Sequence, residues 1–180
     1  MALNSSADDH ARLAAPSVWV QRWAHLVPAG ASVLDVACGG GRHARFFAAR
    51  GHPVDAVDRN PDVIDALKAV SGIAPLCADI EGGPWPYAGR SFGAVVVTNY
   101  LHRPLFPLLL AALAPGGLLI YETFALGNEA YGRPSNPDFL LQRGELLRVA
   151  AGTRILAYED LQVEQPKPAM VQRICAMSLN

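Results

Sequence analysis

Residues 33–44 read VLDVACGGGRHA. A short apolar run carrying one carboxylate, Asp35, ends in three glycines and passes directly into GRHARFFAAR (41–50), which has helical spacing and is closed by Gly51. A strand, a turn stripped of side chains and a helix make the first half of a βαβ unit. The alternation then continues. PVDAVD (53–58) reads as a second strand, and PDVIDALKAV (61–70) as a helix with Asn60 as N-cap and Pro61 in its first turn. IAPLCADI (73–80), SFGAVVVTNY (91–100) and GLLIYETF (117–124) read as further strands, with the helix PLFPLLLAALA (104–114) before the last of them. Upstream, SVWVQRWAHLV (17–27) is helical; downstream, LLQRGELLRVA (140–150) is helical, and TRILAYEDLQVE (153–164) and MVQRICAMSL (170–179) are strands. Unbroken apolar runs such as AVVVT mark strands buried on both faces, as in a parallel sheet between helices. The chain is therefore expected to be a doubly wound α/β protein, with its ligand beyond the carboxyl ends of the strands.

Composition narrows the function. With 180 residues, 51% of them hydrophobic, the chain suits one core. The expected organisation is a flexible segment over 1–16 and a single domain over 17–180. Fifteen basic residues (Lys+Arg) against 16 acidic ones leave no global field to recruit nucleic acid or an anionic membrane surface. Cys38, Cys77 and Cys175 form no CxxC pair and sit at no zinc-ligand spacing to the histidines, so a reducing compartment and no structural metal are expected. MALNSSADDHARLAA (1–15) has the features of neither a signal nor a transit peptide, so the mature chain is expected to begin there and to be cytoplasmic. LFPLLLAALAPGGLLIYETF (105–124) has the length of a membrane span, but Pro115, Gly116 and Gly117 divide it, and it is read as part of a soluble domain.

Gly39, Gly41 and Ala44 satisfy a GxGxxG/A pattern, and Asp58 closes the next strand, placed to accept from ribose hydroxyls. The pattern alone serves a nicotinamide dinucleotide or S-adenosyl-L-methionine. Asp35 separates the two: it would repel a pyrophosphate at the helix start, whereas an ammonium and a sulfonium are favourable partners. A P-loop is excluded, because no Lys-Ser or Lys-Thr follows the glycines.

LDVACGGGRHARFFAARGHPVDAVDRNPDVIDAL (34–67) resembles the first two motifs of class I S-adenosylmethionine-dependent methyltransferases, and its CGxGRH and GHxVxAVDxN elements resemble the tellurite-resistance-type branch. The resemblance covers residues 17–124. It implies a Rossmann-like, three-layer α/β/α fold around a seven-stranded, mostly parallel sheet with an antiparallel last strand. It also implies a cofactor site. Gly39 and Gly41 would pass under the methionine part, beside Asp35 and Cys38, although Cys38 also reads as a small packing residue. Asp58 would hold the ribose with Arg59 beside the adenine, Asp79 would meet the adenine amine, Ile80 would flank the ring, and Asn99 would lie near the methionine or the methyl. In WVQRW, Arg22 would reach the methionine carboxylate and Trp19 would cover the site. His43, at a helix start, reads either as a carboxylate contact or as a surface residue.

For methyl transfer, TNYLHRP (98–104), YETF (121–124) and GNEAYGRPSNPDF (127–139) are expected to border the acceptor. His102 is the first candidate base because its ordinary pKa lies near working pH, with Tyr100 and Arg133 as the other catalytic candidates. Arg103 and Arg133 would clamp an anionic acceptor or pair with Glu122 and Glu129. The segment 125–139 reads as a substrate lid. The fourth strand ends NYLH rather than the NPPY type found in enzymes methylating amino groups of bases or glutamine, and no RNA-binding module is present. A small-molecule acceptor, with an anion as one option, is therefore expected over nucleic acid, and an RNA or protein acceptor bound through a partner stays open. Two alternatives stay open at this point: an NAD(P)-dependent oxidoreductase on the same glycine fingerprint, and a non-catalytic S-adenosylmethionine-binding module.

Overall fold

In a computed structural model, which describes residues 15–179, the strands β1 (Val33–Val36), β2 (Val54–Asp58), β3 (Ile73–Cys77), β4 (Phe92–Thr98), β5 (Leu113–Phe124), β6 (Arg154–Val163) and β7 (Ala169–Met177) form one sheet in the order β3-β2-β1-β4-β5-β7-β6. Pairs among β1 to β5 are parallel, and β7 runs antiparallel to both β5 and β6. This is the expected seven-stranded, mostly parallel sheet with an antiparallel last strand. Nearly all of the expected segment 1–16 lies outside the described residues.

Strand alternation supplies two cores. Leu34 and Val36 face a cluster with Phe92, Leu109, Tyr121 and Leu146, while Val33 faces one with Trp19, Phe47, Leu67 and Ile120. Asp35 shares the face of Val33 and is only 2% exposed. That side is covered by α1 (Val18–Trp23), α2 (Arg42–Ala48) and α3 (Pro61–Leu67); α4 (Phe106–Ala111) and α5 (Glu145–Val149) contribute to the other.

The helices are shorter than their apolar patterns, for local reasons. Ser17 caps α1, its hydroxyl accepting from the N–H groups of Trp19 and Val20, and the helix gives way at Ala24 to one tighter turn ahead of Pro28. Asn60 caps α3 through the N–H of Asp62 at 3.0 Å. The helix expected over 104–114 stops at Ala111, because the carbonyl of Ala112 already accepts from Phe92 N–H at 2.8 Å. β5 consequently begins at Leu113, and its register against β4 jumps from Phe92/Leu113 to Ala94/Leu118 across Pro115–Gly117. The stretch 105–124 is thus a helix and a strand, and no helix among the described residues is long and apolar enough to cross a membrane.

Candidate active site

The carboxyl ends of β1, β2, β3 and β4 converge. Two non-glycine residues among those described hold a left-handed backbone, Ala37 after β1 (φ 52) and Asn99 after β4 (φ 54). Such a conformation costs roughly 1–2 kcal/mol for a residue with a Cβ, and such strain gathers at functional sites.

Between these two positions lies the glycine turn. Gly39 N–H donates to Asp58 Oδ2 at 2.9 Å, and Asn60 N–H donates to Asp58 Oδ1 at 2.9 Å, so one carboxylate ties the turn after β1 to the end of β2. The two outer glycines serve different ends. A Cβ on Gly39 would meet nothing within 4 Å, whereas one on Gly41 would collide with the fully buried side chain of Leu67. Gly41 is therefore required by the close approach of α2 and α3, and Gly39 leaves an open floor. Beneath it, Asp35 Oδ2 accepts from Ala44 N–H at 2.9 Å. Burial raises the Asp35 carboxyl to about 7, against the opposing effects of that hydrogen bond and the Arg42 charge.

A cavity of about 200 Å³ opens beside the turn, lined by Ala37, Asp58, Arg59, Asp79, Ile80 and Tyr100, among others. Asp79 Oδ1 accepts from the N–H groups of Glu81 (3.0 Å) and Gly82 (3.1 Å), which hold its carboxyl below the usual range. The Tyr100 hydroxyl is buried near Glu81 without a hydrogen-bond partner, and burial followed by the Glu81 charge pushes its pKa up. The carboxylates of Asp58 and Asp79, an aliphatic side chain and an aromatic ring suit a group that presents hydroxyl and amine donors on a flat heteroaromatic body.

A second cavity, of about 460 Å³, lies over the ends of β4, β5 and β7. Its walls include Val18, Phe124, Val163, Pro166 and Val171, with Ser17, Arg42, Asn99, Glu122, Lys167 and Arg173 as polar groups. Glu122 is held on both sides: Ser17 Oγ donates to its Oε1 at 2.7 Å, and Arg173 Nη1 to its Oε2 at 3.1 Å. Arg173 also donates through Nε to Glu159 at 2.6 Å and lies 5.0 Å from the Trp19 ring centroid.

Known proteins share both the sequence around this turn and the fold. Residues 33–117 match a family model described as a methyltransferase domain. A ubiquinone biosynthesis O-methyltransferase from Xanthomonas axonopodis pv. citri (strain 306) is 34% identical over 110 residues, or 56% of this chain and 46% of that protein. The matched region resembles a methyltransferase domain. The fold agrees. TehB from Haemophilus influenzae superposes with a TM-score of 0.73 at 18% identity, covering 89% of this chain and 61% of that one. An S-adenosylmethionine-dependent methyltransferase from Mesorhizobium loti gives 0.67 at 18%, covering 87% and 96%. The chain spans about half the length of the O-methyltransferase that it matches. Proteins described as S-adenosylmethionine-dependent methyltransferases are thus among those that share this fold.

Asp35, Cys38, Gly39, Gly41, Asp58, Arg59, Asp79 and Ile80 sit on or beside the turn and the smaller cavity. Cys38 is buried, and its thiol pKa is pushed up by burial and by the Asp35 charge, which suits packing rather than nucleophilic chemistry. Asn99 lines the larger cavity. Other residues expected at the site lie elsewhere. Trp19 is 1% exposed, in the core, its indole N–H donating to the carbonyl of Ile174 at 3.2 Å. Arg22 pairs with Glu159 at 3.5 Å and packs over Trp23. Neither lines the smaller or the larger cavity, because α1 carries both toward β6 and β7.

The three catalytic candidates are not brought together either. Tyr100 lines the smaller cavity, His102 lies near Asp79, and Arg133 is exposed; none of them lines the larger cavity. Arg103 clamps no open site: it donates to Glu145 at 2.7 and 3.0 Å and to the carbonyls of Asp138 and Leu140. Glu129 accepts from Gly127 N–H. Nor does the segment 125–139 hang over the site, since Asn128 is buried and accepts from Met170 N–H, Ala125 N–H donates to Met170, and Tyr131 Oη donates to Gln162. His43 is neither a surface residue nor a carboxylate contact. It is 1% exposed, burial lowers its pKa to about 3, and its Nε2 accepts from Ser17 N–H at 3.1 Å. Lys167, Arg173 and Ser17 carried no motif that pointed to the site.

Proposed function

We propose that this protein transfers the methyl group of S-adenosylmethionine to a small-molecule acceptor, with the adenosyl group in the smaller cavity and the acceptor in the larger one. The observation that carries this reading is the division at the end of β4: Asn99 lines the larger cavity and Tyr100 the smaller, so the two compartments meet at one strand end beside the Gly39 turn.

In this reading Asp58 accepts from the ribose hydroxyls, Asp79 accepts from the adenine amine through Oδ2, and Ile80 and Tyr100 flank the ring. Gly39 permits close approach of the methionine part, and Asp35 supplies a negative charge for its ammonium. Attack by the acceptor on the sulfonium methyl breaks the C–S bond, whose electron pair returns to sulfur; this is the chemistry that the cofactor supplies. The chain's task is alignment, and Asn99 with the Ser17–Glu122–Arg173 group forms the polar end of the acceptor cavity. In this reading Glu122, which lines the larger cavity where His102 does not, takes the proton from an acceptor that must lose one. The free Cys38, Cys77 and Cys175 suit a reducing compartment such as the cytoplasm.

Calorimetric titration with S-adenosylmethionine, S-adenosylhomocysteine and NAD, on the wild type and on Asp58→Ala, tests the assignment. Binding of the first two, weakened at least thirtyfold in the variant, is the expected result. Binding of NAD alone, or full affinity in Asp58→Ala, overturns it.

A further inference from the structure

The larger cavity has a polarity along its length. At the β4 end stand Asn99, Arg42 and Glu122; at the other, the turn between β6 and β7 contributes Gln165, Pro166 and Lys167. Between them the walls are apolar, built from Val18, Phe124, Val163, Pro166 and Val171. A volume of about 460 Å³ is of the size that encloses a small organic molecule.

The charges within it are unequal in their commitments. Glu122 is ion-paired with Arg173 and accepts from the Ser17 hydroxyl. Arg173 is spent on Glu122 and Glu159. Arg42 donates to the carbonyl of Ala15 at 3.4 Å, and its charge acts on Asp35 and His43, toward the glycine turn. Glu164, next to the turn, accepts from Gln162 Nε2 at 2.6 Å and does not line the cavity. Lys167 remains. Among the described residues it has no carboxylate within ion-pair distance, and it stands at the rim opposite Asn99.

We propose that Lys167 is the specificity-determining residue of the acceptor site, and that the acceptor is a small carboxylic acid with an apolar body. Its nucleophilic atom lies toward Asn99 and its carboxylate pairs with the Lys167 ammonium at the far end. This rests on the reading of the larger cavity as the acceptor site. An apolar body without the anion would leave the lysine's charge at the rim unanswered, and a small inorganic anion would leave the apolar walls empty.

The test is calorimetry on the full chain saturated with S-adenosylhomocysteine, using two probes with the same body: 3-phenylpropionate and 3-phenylpropan-1-ol. The wild type is expected to bind the acid at least fivefold more tightly than the alcohol. Lys167→Gln should abolish that preference while leaving the affinity for S-adenosylhomocysteine within twofold. Lys68→Gln removes the other lysine, which lies on the surface after α3 and pairs with Asp65, and it should retain the preference. The inference is overturned if the wild type binds both probes equally or neither, or if the preference survives in Lys167→Gln. Failure of S-adenosylhomocysteine itself to bind would instead overturn the cofactor-site reading, and this inference with it.

Discussion

Asn99 and Tyr100 are consecutive in the chain, yet they face different cavities, the larger and the smaller respectively. The left-handed backbone at Asn99 (φ 54) turns the chain out of the strand at the point where the two side chains part. The two residues should therefore be separable with 5′-methylthioadenosine, a probe that carries the adenosyl group without the methionine. Tyr100→Ala is expected to weaken its binding about tenfold by removing the ring from the cavity wall. Asn99→Gly, which accepts the positive φ without strain, should leave it within twofold. Equal effects in calorimetry would mean that the compartments are not divided at this point.

Gly39 and Gly41 look equivalent in the sequence and are not equivalent in the structure. An alanine at either position adopts a left-handed backbone at a cost of about 1 kcal/mol. At Gly41 the new methyl also meets the Leu67 side chain, which is fully buried. Gly41→Ala should therefore lose about 3 kcal/mol in urea unfolding, and Gly39→Ala about 1 kcal/mol. Cofactor affinity should run the other way, with Gly39→Ala weakening S-adenosylhomocysteine at least tenfold while it remains folded at 25 °C.

Such distinctions mark how far the sequence could be read. The strands, the Gly39–Gly41 turn and the Asp58 and Asp79 strand ends were legible because each is local: apolar runs, glycines and a carboxylate lie within a few residues of one another. The larger cavity was not. Ser17 and Glu122 are 105 residues apart, and Lys167 stands in EQPKP, a hairpin with no motif of its own. The segment 125–139 misled by its length and polarity, since burial of Asn128 against β7 leaves no local trace in composition. His43 misled in the opposite way, because the start of a helix is ordinarily exposed and here Ser17 covers it.

Asp35 makes a pH prediction with a definite sign. Its folded carboxyl is raised by burial from 3.8 to about 7, so its contribution to stability is fully present below pH 4 and is lost as the pH rises through about 7. Asp35→Asn keeps an acceptor for Ala44 N–H and has nothing to ionise. In the absence of ligand its Tm, measured against that of the wild type, should rise between pH 5 and pH 8. Affinity changes oppositely, because the ionised form is the partner of the cofactor's ammonium. Between pH 6.0 and 7.5, wild-type affinity for S-adenosylhomocysteine should increase severalfold, and that of Asp35→Asn should be weaker and flat. A flat wild-type profile in calorimetry would remove Asp35 from cofactor binding.

His43 titrates with the contrary sign. Ser17 N–H can only donate, so Nε2 of His43 is unprotonated and its proton resides on Nδ1, 3.4 Å from Thr98 Oγ1. Burial, aided by the Arg42 charge, lowers the ring's pKa from 6.5 to about 3. A depressed pKa contributes stability that is present above pH 6.5 and lost as the pH falls toward 3. Protonation would turn the acceptor of the Ser17 bond into a donor and so release the residue that both caps α1 and holds Glu122. Acid should therefore loosen the wall of the larger cavity before it unfolds the sheet. His43→Gln retains an acceptor and lacks the titration, so in urea unfolding between pH 6.5 and 4.5 it should lose on the order of 1–2 kcal/mol less than the wild type does. Over the same range the opposing contribution of Asp35 is common to both proteins and cancels in the difference. Parallel pH profiles for the two proteins would show that His43 is not the group that ties the start of α1 to the cavity.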